Sequence, residues 1–157
     1  MKVTVVAIGR PRRPVADAIE EYEARARRYW SLDIVEVRAV KGTDSDVAAV
    51  RRAESKRLLE RVPAGSEVVL LTRLGERWSS ADLARYLEEL ALRGRPGAAF
   101  LIGGAAGVDE AELGRVDRPL SLSGMTLPHE IARLVLAEQL YRAGTILRGE
   151  PYHKGGG

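Results

Sequence analysis

Two imidazoles, His129 and His153, stand in different company in this chain. His129 follows Pro128 at the start of a long apolar run, where the positive end of a helix dipole disfavours an imidazolium. A neutral ring there can tie down the preceding loop with a single hydrogen bond, or it can bind a substrate. His153 lies in the tail P-Y-H-K between Tyr152 and Lys154. An aromatic ring, a titratable ring and a cation together suit the gripping of an unstacked base, although chain termini are also where disorder concentrates. Neither histidine has a partner at metal-ligand spacing, and the chain has no Cys. That argues against zinc catalysis and removes thiolate nucleophiles and disulfides. No G-x-S-x-G elbow or Ser-His-Asp order is present, so a hydrolase has no nucleophile to build on.

The second chemical candidate is the loop G-G-A-A-G at 103–107, where glycines let the backbone approach a ligand or simply form a tight turn. The dinucleotide fingerprint should follow the first strand, but G-R-P-R-R-P stands there, and no Walker motif occurs anywhere. An ordinary dinucleotide site and a P-loop nucleotidase are therefore disfavoured.

These residues need a scaffold, and the hydrophobic pattern supplies one. Val3 to Ile8 reads as a buried parallel strand. Val15, Ala18, Ile19, Tyr22, Ala26, Tyr29 and Trp30 recur at helical spacing after Pro14. Strands are expected at Ile34 to Val40, Glu67 to Thr72, Ala98 to Ile102 and near Leu120. Helices are expected over Asp44 to Val62, after Ser79 or Ser80 with Leu83, Leu87, Leu90 and Ala91 inward, around Asp109 to Leu113, and from Pro128 to about Leu147. The alternation predicts an α/β fold, a mostly parallel sheet with helices on both faces. Ligands gather outside the carboxyl ends of such strands. Three of those ends carry distinctive loops: R-L-G-E-R-W after Thr72, G-G-A-A-G after Ile102, and Ser121 to Pro128. If they adjoin, they form one pocket.

The last helix is apolar on two sides, with Ile131, Leu134 and Val135 on one and Leu136, Leu140, Ala143 and Leu147 on the other. A helix of this kind needs two covers, and in 157 residues the second cover is expected to be another copy of the chain. That length suits a single domain, 1–157. The apolar N-terminal run is too short for a signal segment or a membrane span, so a soluble cytoplasmic protein with no membrane or metal partner is expected. Residues 1–62 carry fourteen Lys and Arg against ten Asp and Glu. An Arg-rich surface suits phosphate, and it is equally what a solvated helix face looks like.

The runs L-I-G-G-A-A-G, L-S-L-S-G-M-T-L-P-H-E, A-E-Q-L-Y-R-A and G-E-P-Y-H-K, with the opening M-K-V-T-V-V-A-I-G and the early E-Y-E-A-R, closely resemble the RlmH family. Its members are small SPOUT-class methyltransferases acting on ribosomal RNA, and the likeness covers essentially the whole length. The resemblance implies a C-terminal trefoil (α/β) knot, a homodimer built on the final helix, and S-adenosylmethionine (S-adenosyl-L-methionine) as cofactor. The cofactor positions it carries over are Leu71, Gly103, Leu122, Ser123, Gly124, Met125, Thr126 and Leu127. The reaction implied is methylation at N3 of a pseudouridine in a stem-loop of 23S rRNA, in the large subunit or whole ribosome. His153, Tyr152 and Lys154 are expected to complete the catalytic site, against the cofactor of the other protomer. His129, Arg133 and Arg142 are further candidates for loop support or RNA contact. The chain departs from the family's commoner G-G-P-E-G in its glycine loop and ends in three extra glycines. The competing readings are a non-catalytic RNA-binding or ribosome-associated module, indifferent to the cofactor, and a nucleotide-responsive dimeric scaffold.

Overall fold

A computed structural model describes residues 1–42 and 46–152. Five strands and five helices alternate along the chain: β1 (Lys2–Ile8), α1 (Val15–Ala26), β2 (Ser31–Val37), α2 (Val47–Glu60), β3 (Glu67–Arg77), α3 (Ser80–Leu92), β4 (Gly97–Ile102), α4 (Glu110–Leu113), β5 (Arg118–Ser121) and α5 (His129–Leu147). The strands form one sheet in the order β2-β1-β4-β3-β5, and every pairing is parallel. The expected parallel α/β architecture is therefore present, with helices on both faces.

Strand alternation sorts the core into two layers. Val3, Val5 and Ala7 of β1 and Ala98, Phe100 and Ile102 of β4 join Ala26 of α1, Leu83, Leu87 and Leu90 of α3, and Leu136, Leu140 and Ala143 of α5. Val6, Ile8, Ala99 and Leu101 face the other way, onto Leu58 of α2 and Leu113 of α4. The final helix packs against both α1 and α3. The indole N–H of Trp30 donates to the carbonyl of Leu140 at 2.8 Å.

Several boundaries differ from the sequence pattern. Tyr29 and Trp30 lie beyond α1, which ends at Ala26; the turn that follows lets Trp30 reach α5. The second strand begins and ends three residues earlier than Ile34 to Val40, because its register follows β1 from Lys2↔Ser31 to Ile8↔Val37. The segment R-L-G-E-R, expected as loop, is strand. After an irregularity between Leu71 and Glu76, β3 resumes pairing, so that Leu120 faces both residues. Gly75 makes this possible, since a Cβ there would stand 2.6 Å from the Pro119 carbonyl carbon. On α3, Ser79 is the N-cap in a reciprocal capping box with Asp82, and Ala91 faces solvent rather than the core. On α2, Val47 and Leu59 are exposed although apolar, while Glu54 and Ser55 are buried.

Candidate active site

All five strands are parallel, so their carboxyl ends share one edge of the sheet, and the three distinctive loops meet there. They enclose a cavity of about 580 Å³ lined mainly by Leu70, Leu71, Ile102, Gly103, Val108, Leu122, Leu127 and Ala132, with Thr72, Arg73, Glu110, Ser123, Thr126 and His129 supplying polar groups. This volume is typical of a small-molecule site. Of the eight residues expected to contact cofactor, Leu71, Gly103, Leu122, Ser123, Met125, Thr126 and Leu127 line it. Gly124 sits within the same loop but does not line the cavity.

The loop from β5 to α5 is shaped by short hydroxyl contacts. Ser121 Oγ lies 3.2 Å from the Arg73 carbonyl and 3.0 Å from that of Ser123, and the Met125 N–H donates to Ser123 Oγ at 2.9 Å. Ser121 thus ties the loop to β3, while Ser123 sets its turn. Met125 remains 78% exposed at the tip, although it belongs to the cavity wall. Gly103 is held tightly, since a Cβ there would meet Val108 Cγ2 at 2.5 Å. The glycine loop closes on itself through the Gly107 N–H to the Gly104 carbonyl, 3.0 Å, and Arg51 Nε donates to the Ala106 carbonyl at 2.8 Å. The turn-forming and ligand-cradling readings of G-G-A-A-G are thus compatible: the loop is a turn whose outer wall faces the cavity.

A second cavity, about 400 Å³, lies beside the first, between the ends of β1 and β2 and the start of α2. Gly104, Ala105 and His129 line both. The His129 ring packs over Gly9, with Cε1 3.3 Å from where a Gly9 Cβ would stand. The ring is half-buried in the first turn of α5, and it marks the junction of the two cavities.

Arg133 is not on the surface. It is buried, donating from Nε and Nη2 to Glu23 at 2.9 and 3.2 Å and from Nη1 to Glu36 at 2.7 Å. Burial works against its charge, but the two carboxylates outweigh that and raise its pKa. Sequence polarity on an apolar helix marked Arg133 as a site candidate, whereas the fold uses it to join α5 to α1 and β2. Arg142 lies farther along α5, paired with Glu138 at 2.7 Å.

Tyr152 folds back onto α5. Its hydroxyl donates to Glu138 at 3.0 Å, its ring lies 4.6 Å from that of Tyr141, and the Arg142 guanidinium sits 4.9 Å above it. Burial, then the Glu138 carboxylate, push its pKa up to about 12. Tyr152 lines neither cavity of its own chain. His153 and Lys154 lie outside the described residues.

Sequence reasoning missed Ile102, Val108, Glu110 and Ala132 in the cavity wall, and it missed Glu54. Ile102 and Val108 flank the glycine loop and could have been reached from its position. Glu54 carried no signal, because on a helix rich in Arg and Glu a buried carboxylate looks like its neighbours. Among the described residues, no group of three or more His, Cys, Asp or Glu could hold a metal, and no helix is long and apolar enough to cross a membrane.

A parallel α/β sheet with a Gly-flanked apolar cavity at its carboxyl edge is the arrangement in which open α/β folds bind small molecules. The particular family follows from comparison: residues 1–153 match the model of the predicted SPOUT methyltransferases, and the chain belongs to that family. It is 50% identical over 155 residues to the ribosomal RNA large subunit methyltransferase H of Gemmatimonas aurantiaca, covering 98% of this chain and 100% of that one. Its identity to the protein of the same name from Rubrobacter xylanophilus is 46% over 154 residues, 97% of this chain and 98% of the other. The fold is shared with a probable methyltransferase from Bordetella pertussis Tohama I, at a TM-score of 0.53 and 17% identity, covering 90% of this chain and 95% of that one. These relatives bear out the resemblance to the RlmH family, and the protein is a methyltransferase.

Proposed function

We propose that this chain, as a single cytoplasmic domain over residues 1–157, transfers a methyl group from S-adenosylmethionine to N3 of a pseudouridine in a stem-loop of 23S rRNA, presented by the large subunit or ribosome. The observation that carries the proposal is the convergence of three loops on one cavity in a chain whose full-length relatives are named as large-subunit rRNA methyltransferases. A knotted passage of the C-terminal segment, the trefoil arrangement implied by resemblance to the family, is part of the same reading.

The residues present fit the donor. Aliphatic side chains of Leu71, Ile102, Leu122 and Leu127 line the cavity and offer the apolar faces an adenine needs. Gly103 lets backbone approach without a Cβ, and the β5–α5 loop brings its peptide groups to the same wall. When bound, S-adenosylmethionine supplies an activated methyl on a sulfonium. The protein's task is then to align an imide nitrogen and to hold the charge that develops as its proton leaves. His129, at the junction of the two cavities, is placed to hydrogen-bond the acceptor or to take that proton, directly or through water.

The tail must then act across subunits. Tyr152 is anchored on α5 away from its own cavity, and the same helix carries the half-buried Ile131, Leu134 and Val135 that the rest of the chain leaves partly uncovered. A second copy packed on that face would bring the tail, with Tyr152, His153 and Lys154, to its partner's donor. This homodimer covers the apolar side of α5 and completes the site in one step.

The test has two stages. Titration calorimetry should show saturable S-adenosylmethionine binding to the purified protein. Mass spectrometry of large-subunit rRNA, treated with the enzyme and donor, should then show one added methyl on a pseudouridine. Absence of donor binding by correctly folded protein would refute the proposal, as would a methyl on another nucleotide.

A further inference from the structure

The second cavity holds a buried carboxylate that the account so far does not use. Glu54, on α2, is 4% exposed. Its Oε2 accepts the Val40 N–H at 3.0 Å. Its Oε1 is buried and has no hydrogen-bond partner among the described residues. That oxygen faces the glycine loop: a Cβ on Gly104 would stand 3.0 Å from it. A buried acceptor with no donor is costly, and native proteins keep few of them. The exceptions ask for a ligand or a function.

The surroundings state what kind of ligand. Ile8, Val40, Val47 and Val50 line the cavity, Gly and Ala residues and the His129 ring form the rest, and Glu54 is the one acid among the described residues of the lining. Apolar branched side chains suit the faces of a flat ring, and about 400 Å³ accommodates one nucleoside. An acidic floor rejects phosphate, so the base rather than the backbone of an RNA must point inward. Exposed cations stand next in sequence to lining residues, Arg10 after Gly9 and Lys41 before Gly42, and these suit phosphate. The Glu54 carboxylate accepts and does not donate, so it reads an N–H.

We infer that Glu54 is the specificity-determining residue for the acceptor base, its Oε1 accepting the N1–H of a flipped pseudouridine in this second cavity. The inference rests on the methyl-transfer reading above and deepens it. In uridine, N1 carries the ribose and has no proton; in pseudouridine the ribose is on C5 and N1–H is free. The same ring can therefore be told from its isomer only by a group that accepts at N1. N1 and N3 flank the C2 carbonyl, and the second cavity shares Gly104, Ala105 and His129 with the first. A base seated on Glu54 thus meets the donor cavity along that shared wall. A site built to bond a polar group discriminates strongly against the analogue lacking it.

The experiment is single-turnover methyl transfer, enzyme in excess, to large ribosomal subunits carrying either pseudouridine or uridine at the target position. Wild type is compared with Glu54→Gln and Glu54→Ala, and donor affinity is measured by calorimetry for each. In Glu54→Gln, which keeps the shape of the side chain, the Val40 N–H holds the amide oxygen and turns the NH2 toward the base, donor against donor. The expected result is that wild type prefers pseudouridine and that both variants lose roughly 10–100-fold on pseudouridine, the worth of one charge-assisted hydrogen bond. Transfer to uridine and donor affinity should be unchanged. Equal losses on both substrates, no loss on either, or a wild type without preference would overturn the assignment while leaving the methyltransferase standing. A wild type that binds donor yet methylates neither substrate would overturn the underlying reading as well.

Discussion

Replacing Arg133 by Met should destabilise the protein by about 3–5 kcal/mol, the cost of removing one partner from a buried ion pair. The magnitude follows from which carboxylate is left behind. The side chains of Arg133 and Glu23 are each 7% exposed, whereas Glu36 is 32% exposed and keeps Arg10 at 3.4 Å. Water can therefore replace the lost bond at Glu36, but Glu23 loses both of its guanidinium bonds in a site water does not reach. For a chain of this length the loss corresponds to a drop of roughly 6–20 °C in melting temperature. The double variant Arg133→Met with Glu23→Leu removes the stranded charge and should return to within about 1 kcal/mol of wild type. The assay is urea unfolding followed by tryptophan fluorescence and circular dichroism at one fixed protein concentration, because a dimer links stability to concentration. If the single variant costs less than about 1 kcal/mol, or if the double variant is no more stable than the single, the pair is not the buried electrostatic unit described. Methyl transfer by the double variant should survive, which an RNA-contacting role for Arg133 would not permit.

Gly144→Ala places a Cβ 2.3 Å from Tyr29 Cγ; despite the ~1 kcal/mol that Ala normally adds to a helix, thermal melting should show net destabilisation of about 1–3 kcal/mol, and an unchanged or higher melting temperature contradicts the tight packing of α5 on Tyr29. Gly75→Ala, built against the Pro119 backbone, should loosen the β3–β5 pairing and speed amide exchange there. Tyr152, with its pKa raised from 10.0 to about 12, should add tyrosinate absorbance only near that pH, seen by subtracting a Tyr152→Phe titration. Because the folded value lies above the unfolded one, its contribution to stability is present below pH 10 and fades as pH rises through about 12. Finally, His153→Ala should abolish turnover while leaving donor affinity intact, and Leu134→Arg should give monomers by sedimentation; a fully active monomer would refute the cross-subunit site.

Much of the fold was legible because strands and helices here differ in hydrophobic period. Val3 to Ile8, interrupted only by Thr4, and Ala98 to Ile102 are apolar runs, and their flanking helices repeat at three and four. The first cavity was legible in part, since the three loops all follow parallel strands and such ends must share an edge. Helix ends, strand register and the course of β3 were not, because they depend on pairing partners: β2 takes its limits from β1, and R-L-G-E-R becomes strand only because Gly75 admits the Pro119 backbone.

What the chain determined by itself was therefore the class of element, the motif content and the resemblance to a family, all of which are properties of local pattern and residue order. Burial of a particular charge is not such a property. Arg133 and Glu54 look in sequence like any polar residue on a helix, and only the packed structure turned the first into a buried clasp and the second into an acceptor facing a cavity. The physical reason is that desolvation depends on everything surrounding a side chain, and those surroundings are assembled from residues about a hundred positions away for Arg133 and, at the glycine loop, about fifty for Glu54.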